Sequence, residues 1–455
     1  MRPNIILINC DDLGYGDLGC YGSRRNRTPV IDHMAANGMR LTSFYAASPT
    51  CSPSRGAMLT GCYPPRIGFD SFGKHSVLFP GDGLGLNPAE TTIAALLREQ
   101  GYRTKIVGKW HCGDQPEFLP TRHGFEEYYG IPYSNDMGRQ AGRRPMPPLP
   151  LLKGERVIQE QPDQRALTER YVEQCASFIH EHRDEPFFLY LAHMHVHVPL
   201  YAPDRFVKQS QNGDYGACVE CIDWAAGCIL RQLETEGLSE NTLVIFTSDN
   251  GSRGDRGGSN GPLRGAKGST WEGGQRVPCI LYWPGHIQPG RACGDIISSI
   301  DFLPTIAGLC GTEPTPGRAI DGMDFGPLLS DVGAHAPRDT FFFYFMNNLE
   351  AVRRGDWKLH LCKKNESWVS EPVELLYNLK EDIGEQNNLY AQNPDIVRNL
   401  KSLAQQCRED LGDAASGIEG RGVRPAGRAH NPKPLTAYDE NHPYICAEYD
   451  KPDAG

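Results

Sequence analysis

Long apolar runs are missing from this 455-residue chain. None approaches the roughly 20 residues that a bilayer-spanning helix needs, so no membrane role is expected. Positive charge is also scarce: 46 Lys and Arg stand against 56 Asp and Glu, a net charge of −10. General nucleic-acid binding requires a broad basic surface, so it is not expected either. The 15 cysteines show no zinc-knuckle spacing, and their odd number cannot close entirely into internal disulfides. Cys218, Cys221 and Cys228 share a helical segment with Ile222, Trp224 and Ile229, and read as small core residues. Many unpaired thiols favour a reducing compartment. Met1-Arg2-Pro3 leads straight into Asn4–Asn9, too short for a signal-peptide core. A cytoplasmic location is therefore expected, or a periplasmic or secreted one if a leader has been removed. No internal repeat is evident, and the oligomeric state is not readable.

What remains is a globular composition, 39% apolar and 22% charged, in a chain long enough for a large core. Strands are expected at Asn4–Asn9, Lys105–Gly108, Phe187–Ala192, Leu243–Thr247 and Val277–Tyr282. Helices are expected at Pro29–Asn37, Thr91–Gln100, Leu167–His182 and Tyr215–Glu236. Helices alternating with apolar strands indicate an α/β fold around a largely parallel sheet covered on both faces. The run Pro145–Pro150 reads as a surface loop, and Gly251–Gly274 as a long ordered or ligand-gripping loop. Beyond about residue 335 the pattern changes. Short strands at Phe341–Phe345, Trp357–Leu361 and Leu375–Asn378, then a helix at Pro394–Gly412, predict a smaller α+β unit. The division is thus a domain over 1–335 and a C-terminal subdomain over 336–455, its polar tail wrapping the surface.

Ligands of open α/β sheets bind at the carboxyl ends of strands. Here those ends deliver Asp11-Asp12, Lys109-Trp110-His111, His193/His195/His197 and Asp249-Asn250. Asp11, Asp12, Asp249 and Asn250 form an oxygen-only donor set that suits a hard cation such as Ca²⁺ or Mg²⁺. Asp-Asp also caps turns, but two such groups at one sheet edge point to a metal. The alternating histidines read either as a zinc HxH site or as one functional histidine with two packed or substrate-binding neighbours. The lack of a clear fourth ligand favours the second. Pro53-Ser54 can open a helix running to Gly61, with Cys51 just before its N-terminus and Arg55 one turn on.

Cys51-Ser52-Pro53-Ser54-Arg55, followed by Met58-Leu59-Thr60-Gly61, resembles the signature of the type I (formylglycine-dependent) sulfatases. Gly101-Tyr102-Arg103-Thr104 with Gly108-Lys109-Trp110-His111 resembles the family's second signature. Asp11-Asp12, His197 before Val198-Pro199, Asp249-Asn250-Gly251 and Lys267-Gly268 follow in the family's order, and the likeness spans about residues 3 to 390. Gly130–Ser134 and Gly257–Pro262 carry a closer likeness to the arylsulfatase A and N-acetylgalactosamine-6-sulfatase branch. Cys62 departs from the pattern, standing where many relatives carry Arg.

The resemblance implies an alkaline-phosphatase-like sandwich, with a large mixed sheet flanked by helices and a smaller C-terminal α+β domain with an antiparallel sheet. It implies that a maturation enzyme oxidises Cys51 to formylglycine, whose hydrate attacks sulfur, with one calcium ion held by Asp11, Asp12, Asp249, Asn250 and residue 51. It gives Arg55, Lys109 and Lys267 charge-stabilising roles. His197 or Lys267 protonates the leaving oxygen, and His111 assists collapse of the sulfated diol. Substrate-contacting candidates are His193, His195, Asn135, Asp136 and Arg139, with Ser71–His75 nearby; Arg143 and Arg144 read as solvated surface or as contacts to an acidic sugar. The expected activity is hydrolysis of a sulfate monoester, of a sulfated carbohydrate such as 6-O-sulfated N-acetylgalactosamine. The alternatives are a phosphate or phosphonate monoesterase of the alkaline-phosphatase superfamily, or an inactive sulfatase-like binding protein.

Overall fold

The computed structural model describes residues 2–142, 146–314, 317–364, 370–435 and 446–455. Its largest element is a ten-stranded sheet. In chain order the strands are β1 (Asn4–Cys10), β2 (Met39–Leu41), β3 (Arg103–Lys109), β4 (Glu127–Ile131), β5 (Pro150–Lys153), β6 (Arg156–Glu160), β7 (Phe187–Ala192), β8 (Thr242–Ser248), β9 (Cys279–Tyr282) and β10 (Arg291–Cys293). The spatial order is β10-β2-β9-β8-β1-β7-β3-β4-β5-β6. The central five, from β8 to β4, are parallel. The strands β9, β5 and β6 pair antiparallel with their neighbours, so the sheet is mixed.

The continuous apolar run of β1 follows from its central place. Its Ile5 and Leu7 enter one core and its Ile6 and Ile8 the other, as the two-residue repeat of a strand requires. The helices α1 (Pro29–Ala36), α2 (Cys51–Thr60), α3 (Ile93–Glu99), α4 (Gln164–Glu181), α5 (Gly213–Thr235) and α6 (Phe302–Leu309) cover the two faces. Met58, Leu97 and Phe302 pack on the first face; Ile31, Phe178 and Ile222 pack on the second. Cys218 and Cys221 are buried in α5 as core residues, and no disulfide joins any of the 15 cysteines among the described residues.

The second sheet is an antiparallel meander of β11 (Thr340–Phe345), β12 (Asn348–Arg354), β13 (Trp357–Lys364) and β14 (Ser370–Asn378), with α7 (Pro394–Leu411) packed on it. Its core contains Phe341, Leu349, Leu376 and Leu400, and continues into Tyr45, Ala57 and Tyr63 of the larger unit. The meander therefore backs directly onto α2. Further along, Gly427–Arg428 pairs with Leu84–Gly85, and Tyr449 is buried with its hydroxyl donating to the Pro162 carbonyl.

Three sequence expectations need correction. The run ending at Pro150 is not a surface loop throughout: Pro148 and Leu149 are buried, and Pro150 opens β5 as its first residue, where a missing N–H is tolerated. Pro145, with Arg143 and Arg144, lies outside the described residues. The helix α2 begins at Cys51 itself rather than at Pro53. The short strands β2, β4, β5, β6, β10 and β12 escaped a reading that relied on long apolar runs.

Candidate active site

The carboxyl ends of β1, β3, β7 and β8 meet the first turn of α2. Thr50 precedes that helix in extended conformation, and Ser54 N–H donates to the Thr50 carbonyl. The earlier N–H groups of the turn stay outside the helical pattern, as at any helix start. Glycines allow the close approach. Gly108 has φ +112° and faces the Ala192 carbonyl at 1.9 Å from where a Cβ would stand. It pairs with Gly130 on β4.

One donor atom each from Asp11, Asp12, Cys51 and Asp249 lies within 4.8 Å of all the others. Cys51 Sγ is 3.3 Å from Asp11 Oδ1. Arg55, wholly buried, donates from Nε to Asp249 Oδ2 (2.8 Å) and from Nη1 to the Lys109 carbonyl (3.0 Å), and its Nη2 is 3.8 Å from Asp11. Lys109 Nζ donates to Asp11 and to Ser134 Oγ, the latter at 3.2 Å. Lys267 Nζ donates to Asp12 Oδ2 at 2.9 Å. His197 places Nδ1 2.6 Å from the Val198 carbonyl and 3.3 Å from Ser134 Oγ, so Nε2 faces Asp12 at 3.9 Å.

Burial and charge oppose one another here. Burial alone pushes the Asp11 carboxyl up, but Lys109, His197, Arg55 and Lys267 together hold it below the usual carboxylate range. Burial and the Asp11 charge push Asp249 up to about 7 against Arg55. Burial, then Asp11, raises the Cys51 thiol well above the usual range, so the unmodified side chain is not a thiolate. Burial pulls the histidines the other way: His111 and His197 are lowered, helped by Lys109 and Lys267 respectively.

The donor set fits a hard cation. Asn250 Nδ2 donates to Asp12 Oδ1 (2.7 Å) and to the Gly251 carbonyl (3.0 Å), leaving its buried Oδ1 without a partner among the described residues. A bare amide oxygen beside three carboxylates offers oxygen ligands and no imidazole, the chemistry of Ca²⁺ or Mg²⁺ rather than zinc. Asp12 (φ +61°) and His111 (φ +56°) hold left-handed backbone, a sparsely populated region for non-glycine residues that concentrates at functional sites.

A cavity of about 530 Å³ opens over this cluster, lined by Cys51, His111, Ser134, Asp136, His197 and Lys267 among others. Its outer wall contains Ser76, Phe79, Phe345, Arg253 and Asp255, and Ala454 and Gly455 reach it from the tail. Gly455 N–H donates to Asp136 Oδ2 at 3.1 Å.

Several sequence candidates lie elsewhere. His193 and His195 do not line the cavity; both are buried with ring nitrogens unpartnered among the described residues, and burial lowers them to about 3 and about 4. The strand β7 stops at Ala192, so the alternation that would have put three histidines on one face ends there. Their backbones instead extend the pairing with β1: His193 N–H donates to the Asn9 carbonyl, and the His195 carbonyl accepts from Asp11 N–H. Asn135 is buried beneath the wall, donating to Gln164 Oε1 and the Pro199 carbonyl. Arg139 is exposed and borders a different cavity beside Tyr449. Ser71–His75 fold into their own turn, and the wall is built by Ser76, Val77 and Phe79 instead.

Ser134 figures in the sequence only as part of the Gly130–Ser134 likeness and not as a site residue, because β4 was not foreseen; it stands just beyond the carboxyl end of that strand. At Cys62, where an arginine was expected, the Arg424 guanidinium from the tail lies 3.3 Å from Sγ and pairs with Glu90 through two 2.8 Å contacts.

A sequence model described as "Sulfatase" matches residues 3–312, and one described as "N-sulphoglucosamine sulphohydrolase, C-terminal" matches residues 266–410. Arylsulfatase A of Homo sapiens is 39% identical over 450 residues, covering 88% of this chain and 87% of its own. N-acetylgalactosamine-6-sulfatase of Rattus norvegicus is 41% identical over 384 residues, covering 80% and 72%. Among solved structures, Ps i-CgsB in complex with k-i-k-neocarrahexaose superposes with a TM-score of 0.79 at 29% identity, over 92% of this chain and 96% of that one.

Proposed function

The chain belongs to the sulfatase family and is a sulfate-ester hydrolase, and we propose that it acts through Cys51 matured to formylglycine beside one calcium ion. The observation that carries this reading is the meeting of residue 51 with three carboxylates inside 4.8 Å, flanked by the buried Lys109 and the half-buried Lys267. Asp11, Asp12, Asp249 and Asn250 would hold the cation, which supplies positive charge that lowers the pKa of an oxygen at residue 51. Formylglycine supplies, as its hydrate, the nucleophilic oxygen that a thiol cannot.

The remaining roles belong to the chain's own side chains. Arg55 offsets the carboxylates and fixes Asp249 within reach of a proton at residue 51. Lys109 and Lys267 present fixed positive charge to the non-bridging oxygens of a sulfate group, where charge shifts during transfer. Ser134, between Lys109 and His197, orients both. Lys267 or His197 protonates the leaving oxygen, and His111, whose Nε2 is tied to the Leu78 carbonyl, assists release of sulfate.

For the substrate we propose a sulfated carbohydrate, such as a 6-O-sulfated N-acetylgalactosamine or a related sugar. Its support is the activity for which the N-acetylgalactosamine-6-sulfatase relative is named, the saccharide bound by the structural neighbour, and a cavity whose volume suits one or two sugar rings. We assign 1–335 to catalysis and 336–455 to a supporting subdomain, with a formylglycine-generating enzyme as maturation partner.

Mass spectrometry of the tryptic peptide containing Cys51 tests the nucleophile. The aldehyde is expected, with activity lost in Cys51→Ala. An unmodified thiol in active enzyme would refute the nucleophile. Turnover of aryl phosphate faster than aryl sulfate would restore the phosphatase reading, and turnover of aryl sulfate with no cleavage across a panel of sulfated saccharides would refute the substrate class.

A further inference from the structure

The segment that carries Lys267 has little stiffness of its own. Gly265 (φ +81°) and Gly268 (φ +76°) flank it in left-handed conformations, and no regular structure follows until the single helical turn at Glu272–Gln275. Lysine is itself a flexible point charge. Yet Lys267 must stand in one place for its charge to act, since misplacement of a catalytic group by about 1 Å costs about a hundredfold in rate.

On its upstream side the segment is tied to the site, by Lys267 N–H to the Ser252 carbonyl (3.1 Å) and Gly268 N–H to the Pro49 carbonyl (2.9 Å). On its downstream side it is gripped by the second sheet. Thr270 is fully buried; its hydroxyl donates to Glu350 Oε2 (2.6 Å) and accepts from Lys363 Nζ (2.6 Å), and its carbonyl accepts from Lys358 Nζ (2.9 Å). Lys358 also donates to Glu272 Oε1 (2.9 Å) and lies 3.1 Å from Glu385, whose other oxygen accepts from Glu272 N–H (2.8 Å). The Arg264 guanidinium and Lys363 Nζ lie over the Trp271 ring, 3.7 and 4.1 Å from its centroid. Glu350 lies on β12, and Lys358 and Lys363 lie on β13.

We propose that Thr270, clamped by Glu350, Lys358 and Lys363 of the C-terminal sheet, is a positioning residue that holds Lys267 in place for sulfate. The second sheet is thereby part of the apparatus that orients the site, not only a brace for the fold. The inference rests on the sulfate-facing role assigned to Lys267.

A double-mutant cycle on an aryl sulfate tests it. Thr270→Val keeps the side-chain shape and removes the hydroxyl. It is expected to lower kcat/KM by about tenfold or more in the otherwise native enzyme, and by less than about twofold when Lys267→Ala is already present. Thr270→Ser is expected to restore the native value. Leu376→Ala, in the core of the same sheet but away from this segment, is expected to lower Tm while leaving kcat/KM intact below the transition. Equal losses from Thr270→Val in both backgrounds would overturn the proposal, as would a matching loss of kcat/KM in Leu376→Ala. Where Thr270→Val does not fold, Lys363→Met, at a half-buried position, replaces it in the same cycle. Unchanged kcat/KM in Lys267→Ala alone would instead remove the premise about Lys267.

Discussion

Arg55 shows how much one side chain is asked to do: it neutralises Asp249, caps the carbonyl at the end of β3, and approaches Asp11, all without contact with water. Its place in a Cys-x-x-x-Arg pattern was legible because one helical turn separates the two residues. His123 makes a different point. It is buried against Trp110, with both ring nitrogens unpartnered among the described residues, and burial lowers it to about 3. The folded state therefore holds a neutral ring, whereas the unfolded chain protonates it below its ordinary pKa of about 6.5. Its drag on stability is absent above that pH and grows by about 1.4 kcal/mol per pH unit below it, down to about 3. His123→Phe is expected to gain Tm over the native protein progressively from pH 6.5 to pH 5, with little pH dependence of the difference above 7, in thermal melts followed by circular dichroism. Nothing in the sequence marked this residue, because burial of a lone histidine is decided by neighbours far along the chain.

At the scale of elements, the strands read most easily were those buried on both faces. The runs at Asn4–Cys10, Phe187–Ala192 and Thr242–Ser248 are buried along their whole length, with apolar centres, because both sides meet helices. Strands near the sheet's ends, such as Pro150–Lys153 and Arg156–Glu160, carry charged and polar residues and have no such signature. The glycine in β3 belongs to this scale as well. A Cβ at Gly108 would stand 1.9 Å from the Ala192 carbonyl, in a backbone conformation that L-residues avoid. Gly108→Ala is expected to force β3 from β7, displacing Lys109 and His111. The expected outcome is largely insoluble expression, or a residual soluble fraction whose kcat/KM has fallen about a hundredfold or more.

At the scale of the whole molecule, four strand ends, one helix start and a loop from the other end of the larger unit must arrive together before any chemistry exists. Assembly places three carboxylates inside 4.8 Å of a common group. The lysines offset that repulsion in part, and a divalent cation bound there would offset more. A ligand that binds only the folded state stabilises it by about 2.7 kcal/mol at a hundred times its dissociation constant. Chelation is therefore expected to lower Tm by several degrees and abolish turnover, and added Ca²⁺ to restore both. Asp12→Asn should reduce the size of the Tm shift. Identical melting curves with and without chelator would argue against a structural cation at this site.

The sequence by itself determined the class of chemistry. The residues that carry it sit in short, locally spaced motifs whose order and identity survive without coordinates, and the long buried strands announce themselves through unbroken apolar runs. Only the tertiary structure decided that the His193 and His195 backbones pair with β1, that Ser134 joins Lys109 to His197, and that Thr270 is gripped by a sheet some eighty residues downstream. Those facts depend on where a strand stops and which distant surface packs against it. Such choices are made by burial over the whole chain rather than by any local pattern.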